Sequence, residues 1–165
     1  MIITPWLVLF MLLVFILVFL FINTIDKRKW LTFLISLVIT PLVYFYVFYP
    51  FINIISSYHH QKYFNAQDWR EKPALRYEMA DHTVESDTLI GKSKAEISAL
   101  LGTYEWLSWN EAQKAHDDNK WNYGLGIEPG AFNSDKDCLE VSFKDNTVVA
   151  LRTYQEEITY DNEEQ

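Results

Sequence analysis

The chain has one cysteine, Cys138, in 165 residues. A single cysteine excludes an intrachain disulfide and any zinc site built on cysteine. Glycine is scarce, at five residues. The segment Gly91-Lys92-Ser93 resembles the end of a phosphate-binding loop, but that loop requires a further glycine five positions earlier. Ser86 stands there instead, so the nucleotide-loop pattern fails. Charge is missing from the first third of the chain: up to Ser56 the only charged residues are Asp26, Lys27, Arg28 and Lys29. No Lys or Arg precedes the first apolar run and no A-x-A-like triplet follows it. Both are parts of a cleaved secretory signal, and both are wanting. A basic stripe is also absent. Setting aside the turn, with three basic residues and one acidic, leaves 11 Lys and Arg against 21 Asp and Glu, a net charge of about −10. That excludes nucleic acid as a partner, since phosphate binding requires clustered Lys and Arg. It also disfavours a domain lying flat on anionic lipid.

What the first third does contain is two long apolar runs, and a helix needs about 20 apolar residues to cross a bilayer. Residues 1–56 are expected to form two transmembrane helices, about 4–22 and 30–50, joined by a turn at 23–29. Lys27, Arg28 and Lys29 determine the topology. They are the basic cluster beside the spans, so the positive-inside rule puts the turn in the cytoplasm and both termini outside. The implied location is a bacterial inner membrane, crossed twice, with the lipid bilayer as the first partner. Trp6, Trp30 and the aromatic run Tyr44 to Phe51 suit membrane–water interfaces. Pro41 is expected to kink the second helix and Pro50 to end it.

Residues 57–72 read as a juxtamembrane connector, with Asn65 as a helix N-cap. Adjacent His59 and His60 point to different sides of any regular element and make a poor chelate. An α+β domain is expected over 73–155, with two short helices on an antiparallel sheet of about three strands. The first helix, Ala74 to Ser86, would bury Leu75 and Met79 and expose Arg76 and Glu78. The second is specified at both ends: Ser93 and Glu96 form a capping box, Ile97, Leu100 and Leu101 share one face, and Gly102 occupies the C-terminal position that needs a positive φ. Residues 103–120 carry Trp106, Leu107 and Trp109 without a clear period, with a helical turn or two conceivable over Asn110 to His116. Three strands follow: one alternates Trp121, Tyr123, Leu125 and Ile127, a second Leu139, Val141 and Phe143, and the third runs from Thr147 to Tyr154. Asp145-Asn146 marks a tight hairpin. Asn133, Asp135 and Asp137 begin like an EF-hand loop, but Cys138 and Lys144 occupy its glycine and glutamate positions, which leaves an acidic loop. Residues 156–165 form an acidic tail.

The segments Leu89–Gly102, Trp121–Gly126 and Leu139–Val148, together with Arg76 and Met79, resemble the small α+β domain of the SmpA/OmlA (BamE-like) family, which is similar to the β-lactamase-inhibitor-protein fold. The residues that carry the resemblance are structural: Gly91, Ser93, Glu96, Gly102, Trp121, Tyr123 and Gly126. It implies helices packed on an antiparallel sheet, a role in protein–protein contact at a bacterial envelope, no catalytic residues and no cofactor. The function expected is therefore a membrane-anchored, non-catalytic interaction or scaffold module with an envelope protein as partner. The alternatives are a membrane-bound hydrolase using His59, His60, His82 or His116 with a carboxylate, and an envelope sensor.

Overall fold

The computed structural model describes residues 1–158, so most of the expected acidic tail lies outside the described residues. The chain divides into two units. One comprises residues 1–60 with Pro129–Phe132, the other Gln61–Glu128 with the residues from Asn133 onward.

The first unit is a helical hairpin. Helix α1 spans Pro5–Ile25, with Thr4 Oγ1 accepting from the Leu7 N–H and Pro5 in the first turn, where a missing N–H costs nothing. Helix α2 spans Lys29–Val43, continues through a π-helical turn at Tyr44–Phe48 and runs on as α3, Tyr49–Ile55. Both helical runs, Pro5–Ile25 and Lys29–Ile55, are long and apolar enough to span a membrane. Pro41 lies inside α2. Pro50 does not end the second run as expected: it falls in the first turn of α3, and helix continues to Ile55.

The hairpin packs through a stripe of small polar residues. Thr32, Ser36 and Thr40 recur every four residues along α2, Tyr44 continues the row at the start of the π-helical turn, and all are buried, as are Leu7, Val14 and Val18 on α1. The hydroxyls stay satisfied by bonding back down the helix: Ser36 Oγ donates to the Thr32 carbonyl and Thr40 Oγ1 to the Ser36 carbonyl, each at 2.7 Å. Small residues let helix backbones approach closely without needing a hydrophobic drive between them.

The second unit is a four-stranded antiparallel sheet in the order β1-β2-β3-β4: β1 Trp106–Asn110, β2 Ala115–Gly126, β3 Asp135–Lys144 and β4 Thr147–Glu157. The expectation of three strands is corrected. The sequence 103–120 supplies an extra edge strand and the first half of β2, not a helical turn. Its polar residues read as a loop because they form an exposed hairpin, and a register shift after Leu107 breaks the alternation. The 145–146 turn is as expected: Asp145 and Asn146 both have positive φ, at 50° and 63°, which suits a two-residue hairpin. Glu156 and Glu157, assigned to the tail, instead pair with Lys136 and Asp135 as the end of β4.

One face of the sheet is covered by helices α4 (Ala66–Glu71), α5 (Tyr77–Glu85) and α6 (Lys94–Leu101) and a 3-10 turn at Pro73–Leu75. Trp121, Tyr123, Leu125, Leu139, Val141 and Phe143 meet Trp69, Met79, Leu89, Ile97 and Leu101 in one core. Two burials contradict the sequence expectation. Trp69, placed in the connector, is fully buried, and Asn65 caps its helix by accepting from the Gln67 and Asp68 N–H groups. Arg76, placed on the outside, is buried, whereas Leu75 is exposed, because the 3-10 turn rotates the chain before α5 begins.

Candidate functional site

The structural residues singled out from the sequence converge on the helix-covered side. Ser93 and Glu96 form the capping box, with Glu96 Oε2 accepting from the Ser93 N–H at 2.8 Å. These bonds hold the Glu96 carboxyl below its ordinary range. Gly102 ends α6 at φ 85°, and its carbonyl accepts from the buried Tyr123 hydroxyl at 3.2 Å. Burial pushes the Tyr123 phenol up. Gly91-Lys92-Ser93 works as a short pairing segment beside β4: Gly91 N–H donates to the Val148 carbonyl and Val148 N–H to the Lys92 carbonyl. Trp121 packs against Tyr104 and Phe143. Gly126, at φ 99°, lies so close to the Ala74 backbone carbonyl that a Cβ would collide with it. Each of these groups holds the fold.

Arg76 is a structural clamp as well. Its Nε donates to the Trp69 carbonyl at 2.8 Å, and Nη1 donates to the Gly124 carbonyl at 2.9 Å and to Glu105 Oε1 at 2.6 Å. Glu105 Oε2 accepts the Gly124 N–H at 3.1 Å. The planar guanidinium thereby ties α4 to the C-terminal end of β2 through several bonds at once.

On the sheet face opposite α4, α5 and α6, three polar or polarisable side chains are buried: Asn122, Cys138 and Glu140. A buried carboxylate costs several kcal/mol unless donors surround it. Glu140 has them. Ser108 Oγ donates to Oε2 at 2.7 Å, Arg152 lies 3.5 Å away and Lys120 3.9 Å. Asn122 Nδ2 donates to Ser108 Oγ at 3.0 Å, and the Tyr154 hydroxyl donates to Asn122 Oδ1 at 2.9 Å. One hydrogen-bonded chain therefore joins all four strands. Two rings roof it, each with a cation on its face: Lys136 Nζ is 4.5 Å from the centre of Trp106, and Arg152 Cζ is 5.2 Å from that of Tyr154. Burial, seconded by Glu156, pushes the Cys138 thiol up to about 11, so at neutral pH it is a protonated thiol and a poor nucleophile.

This network was not anticipated from the sequence. Alternation put Asn122, Cys138, Glu140 and Ser142 on the solvent side, which is correct for direction. Ser108, on the strand that the sequence did not reveal, bonds both Asn122 and Glu140. The clue was an Asn and a Glu at facing positions of two strands, which pair directly in the register.

The histidines sit in separate settings. His60 Nε2 lies 3.0 Å from the Tyr44 hydroxyl, and its ring stacks on Tyr49 with centroids 4.1 Å apart. His82 Nδ1 is 3.3 Å from the Phe64 N–H, and His116 packs edge-on against Trp109. Among the described residues no group of three or more His, Cys, Asp and Glu is placed to hold a metal ion.

At the hairpin turn, Arg28 Nη2 and Asp26 Oδ2 pair at 2.7 Å, Lys27 Nζ donates to the Asn23 carbonyl and Lys29 Nζ to Asn23 Oδ1. The Arg28 side chain and N–H hold the Asp26 carboxyl down to about 2. Asp26 is therefore ionised and cancels only one of the three cations at neutral pH. No family model, curated protein or solved structure matches this chain.

Proposed function

We propose that this protein is a membrane-anchored, non-catalytic interaction module of a bacterial cell envelope, which presents the sheet face opposite α4, α5 and α6 to a protein partner outside the inner membrane. The observation that carries the proposal is that face: a buried Glu140–Ser108–Asn122–Tyr154 chain under two cation-capped aromatic rings. Tyr, Trp and Arg are the side chains that dominate protein interfaces, because they offer large area and directed bonds at low entropic cost. A network so preorganised suits recognition, since its Ser108 and Tyr154 hydroxyls are already held in place by Glu140 and Asn122. The two apolar helices support the anchor, and the net basic turn supports a cytoplasmic turn with both termini outside. The SmpA/OmlA-like resemblance belongs to the same proposal, as a likeness of architecture. The test is site-specific photo-cross-linking in native membranes. Cross-linkers at Lys120 and Arg152 on that face are expected to give one discrete adduct, and cross-linkers at Glu85 and Ser98 on the helical side none. Equal adducts from both sides, or none from the face opposite the helices, would overturn the proposal.

A further inference from the structure

Within the hairpin unit, the segment Pro129–Phe132 is held against the end of the second apolar run. The Ala131 N–H donates to the Ile54 carbonyl at 3.2 Å. Ile54 is the penultimate residue of α3, so its carbonyl belongs to the last turn, whose acceptors have no partner within the helix. The bond fixes the segment at the level where that helix ends. The preceding turns of the same helical run carry aromatic residues expected of a membrane–water interface. Phe10 of α1 packs against Phe48 at 5.3 Å and Tyr58 at 4.9 Å, and Tyr44 bonds Tyr58 and His60. Phe51, Ile54 and Ile55 are all exposed there, and Phe132 is 91% exposed. The segment Pro-Gly-Ala-Phe has no charge, while Glu128 and Asp135 flank it. The flanking carboxylates set a depth limit and rule out attraction to anionic headgroups.

We propose that Pro129–Phe132 is a third membrane contact: Phe132 seats in the headgroup–acyl boundary beside the exit of the second span and pins the β2–β3 loop to the outer surface of the bilayer. The contact is apolar, so zwitterionic lipid suffices and salt has little effect. It rests on the reading of the two helices as spans, and the test separates the two claims. The full chain is labelled with an environment-sensitive fluorophore at Phe132→Cys and reconstituted in phosphatidylcholine vesicles carrying nitroxide lipids. Val38→Cys, within α2, serves as the buried reference, and Glu111→Cys, in the exposed β1–β2 turn, as the aqueous one. The native Cys138 is buried, and the unsubstituted chain reports its background labelling. Label at residue 132 is expected to emit blue-shifted from residue 111 and to be quenched at least two-fold more by a shallow acyl nitroxide than by a deep one. If residue 38 is quenched while residue 132 behaves like residue 111, the loop contact is refuted and the spans stand. If residue 132 is blue-shifted but unquenched, protein covers it and the lipid contact is refuted. If residue 38 is unquenched, the spans themselves fail, and this contact with them.

Discussion

The two units are packed inside out with respect to each other. In the α+β unit, Trp69, Leu139, Val141 and Ile97 are buried and charge lies outside. In the hairpin, Thr32, Ser36 and Thr40 are among the most buried side chains, while Trp6, Val38, Leu42 and Phe51 stand exposed. Water explains the first arrangement: burying apolar area is the main favourable contribution to folding. It does not by itself account for the second, in which large apolar side chains face outward. In a hydrocarbon solvent the outward leucines cost nothing, and small hydroxyl residues do the helix pairing. One chain thus follows two rules of burial, and the membrane anchor proposed above would account for the second.

The contrast is broken most severely at close backbone contacts in the α+β unit. Gly126→Ala combines a positive φ with collision against the Ala74 carbonyl, and is expected to cost on the order of 2–6 kcal/mol. Denaturant unfolding of the detergent-solubilised full chain, followed by tryptophan emission, measures it. A loss under about 0.5 kcal/mol would show that the contact is not close. In the same assay Leu139→Ala should cost about 2–5 kcal/mol through the cavity it leaves.

The hairpin should be sensitive at an exposed position, where a soluble surface would be tolerant. Val38 is 71% exposed. On a soluble surface, Val38→Asp would change stability by less than about 0.5 kcal/mol. In a membrane span it should cost about 2.5–3.5 kcal/mol. The fraction of full chain that resists alkaline extraction from membranes decides between the two. Unchanged retention of the variant would count against the span.

Smaller effects sharpen the α+β side alone. Ser93→Ala removes the side-chain half of the capping box and should cost about 1 kcal/mol, read from the same unfolding curves. Glu96 has a folded-state pKa below its ordinary value. Its contribution is therefore fully present above the ordinary carboxylate pKa and is lost as pH falls through the lower folded-state value. Glu96→Gln should accordingly show a slightly flatter fall in melting temperature between neutral pH and the acid range than the native chain. Identical slopes would mean that the Ser93 bonds contribute nothing in solution.

Local features were legible in the sequence because neighbours along the chain determine them. The capping box at Ser93, the positive-φ end at Gly102 and the Asp145-Asn146 hairpin each need only a few consecutive residues. The long uncharged runs needed only composition. Trp69, Arg76 and Glu140 were misplaced because their surroundings come from distant segments. Arg76 is held by strand β2 at Gly124, and Glu140 by strand β1 some 30 residues earlier in the chain. The pattern rules assume a regular element, and both the 3-10 turn before α5 and the register shift in β1 are irregular.

By itself, then, the sequence determined the two long apolar helices, the basic turn between them and the alternating strands β2 and β3, because periodicity and charge act residue by residue. Only the tertiary structure decided that a fourth strand closes the sheet, that Arg76 clamps it and that Asn122 and Glu140 are buried on the face opposite α4, α5 and α6. The physical reason is that burial is a property of what packs above a side chain, and for these residues what packs above comes from elsewhere in the chain.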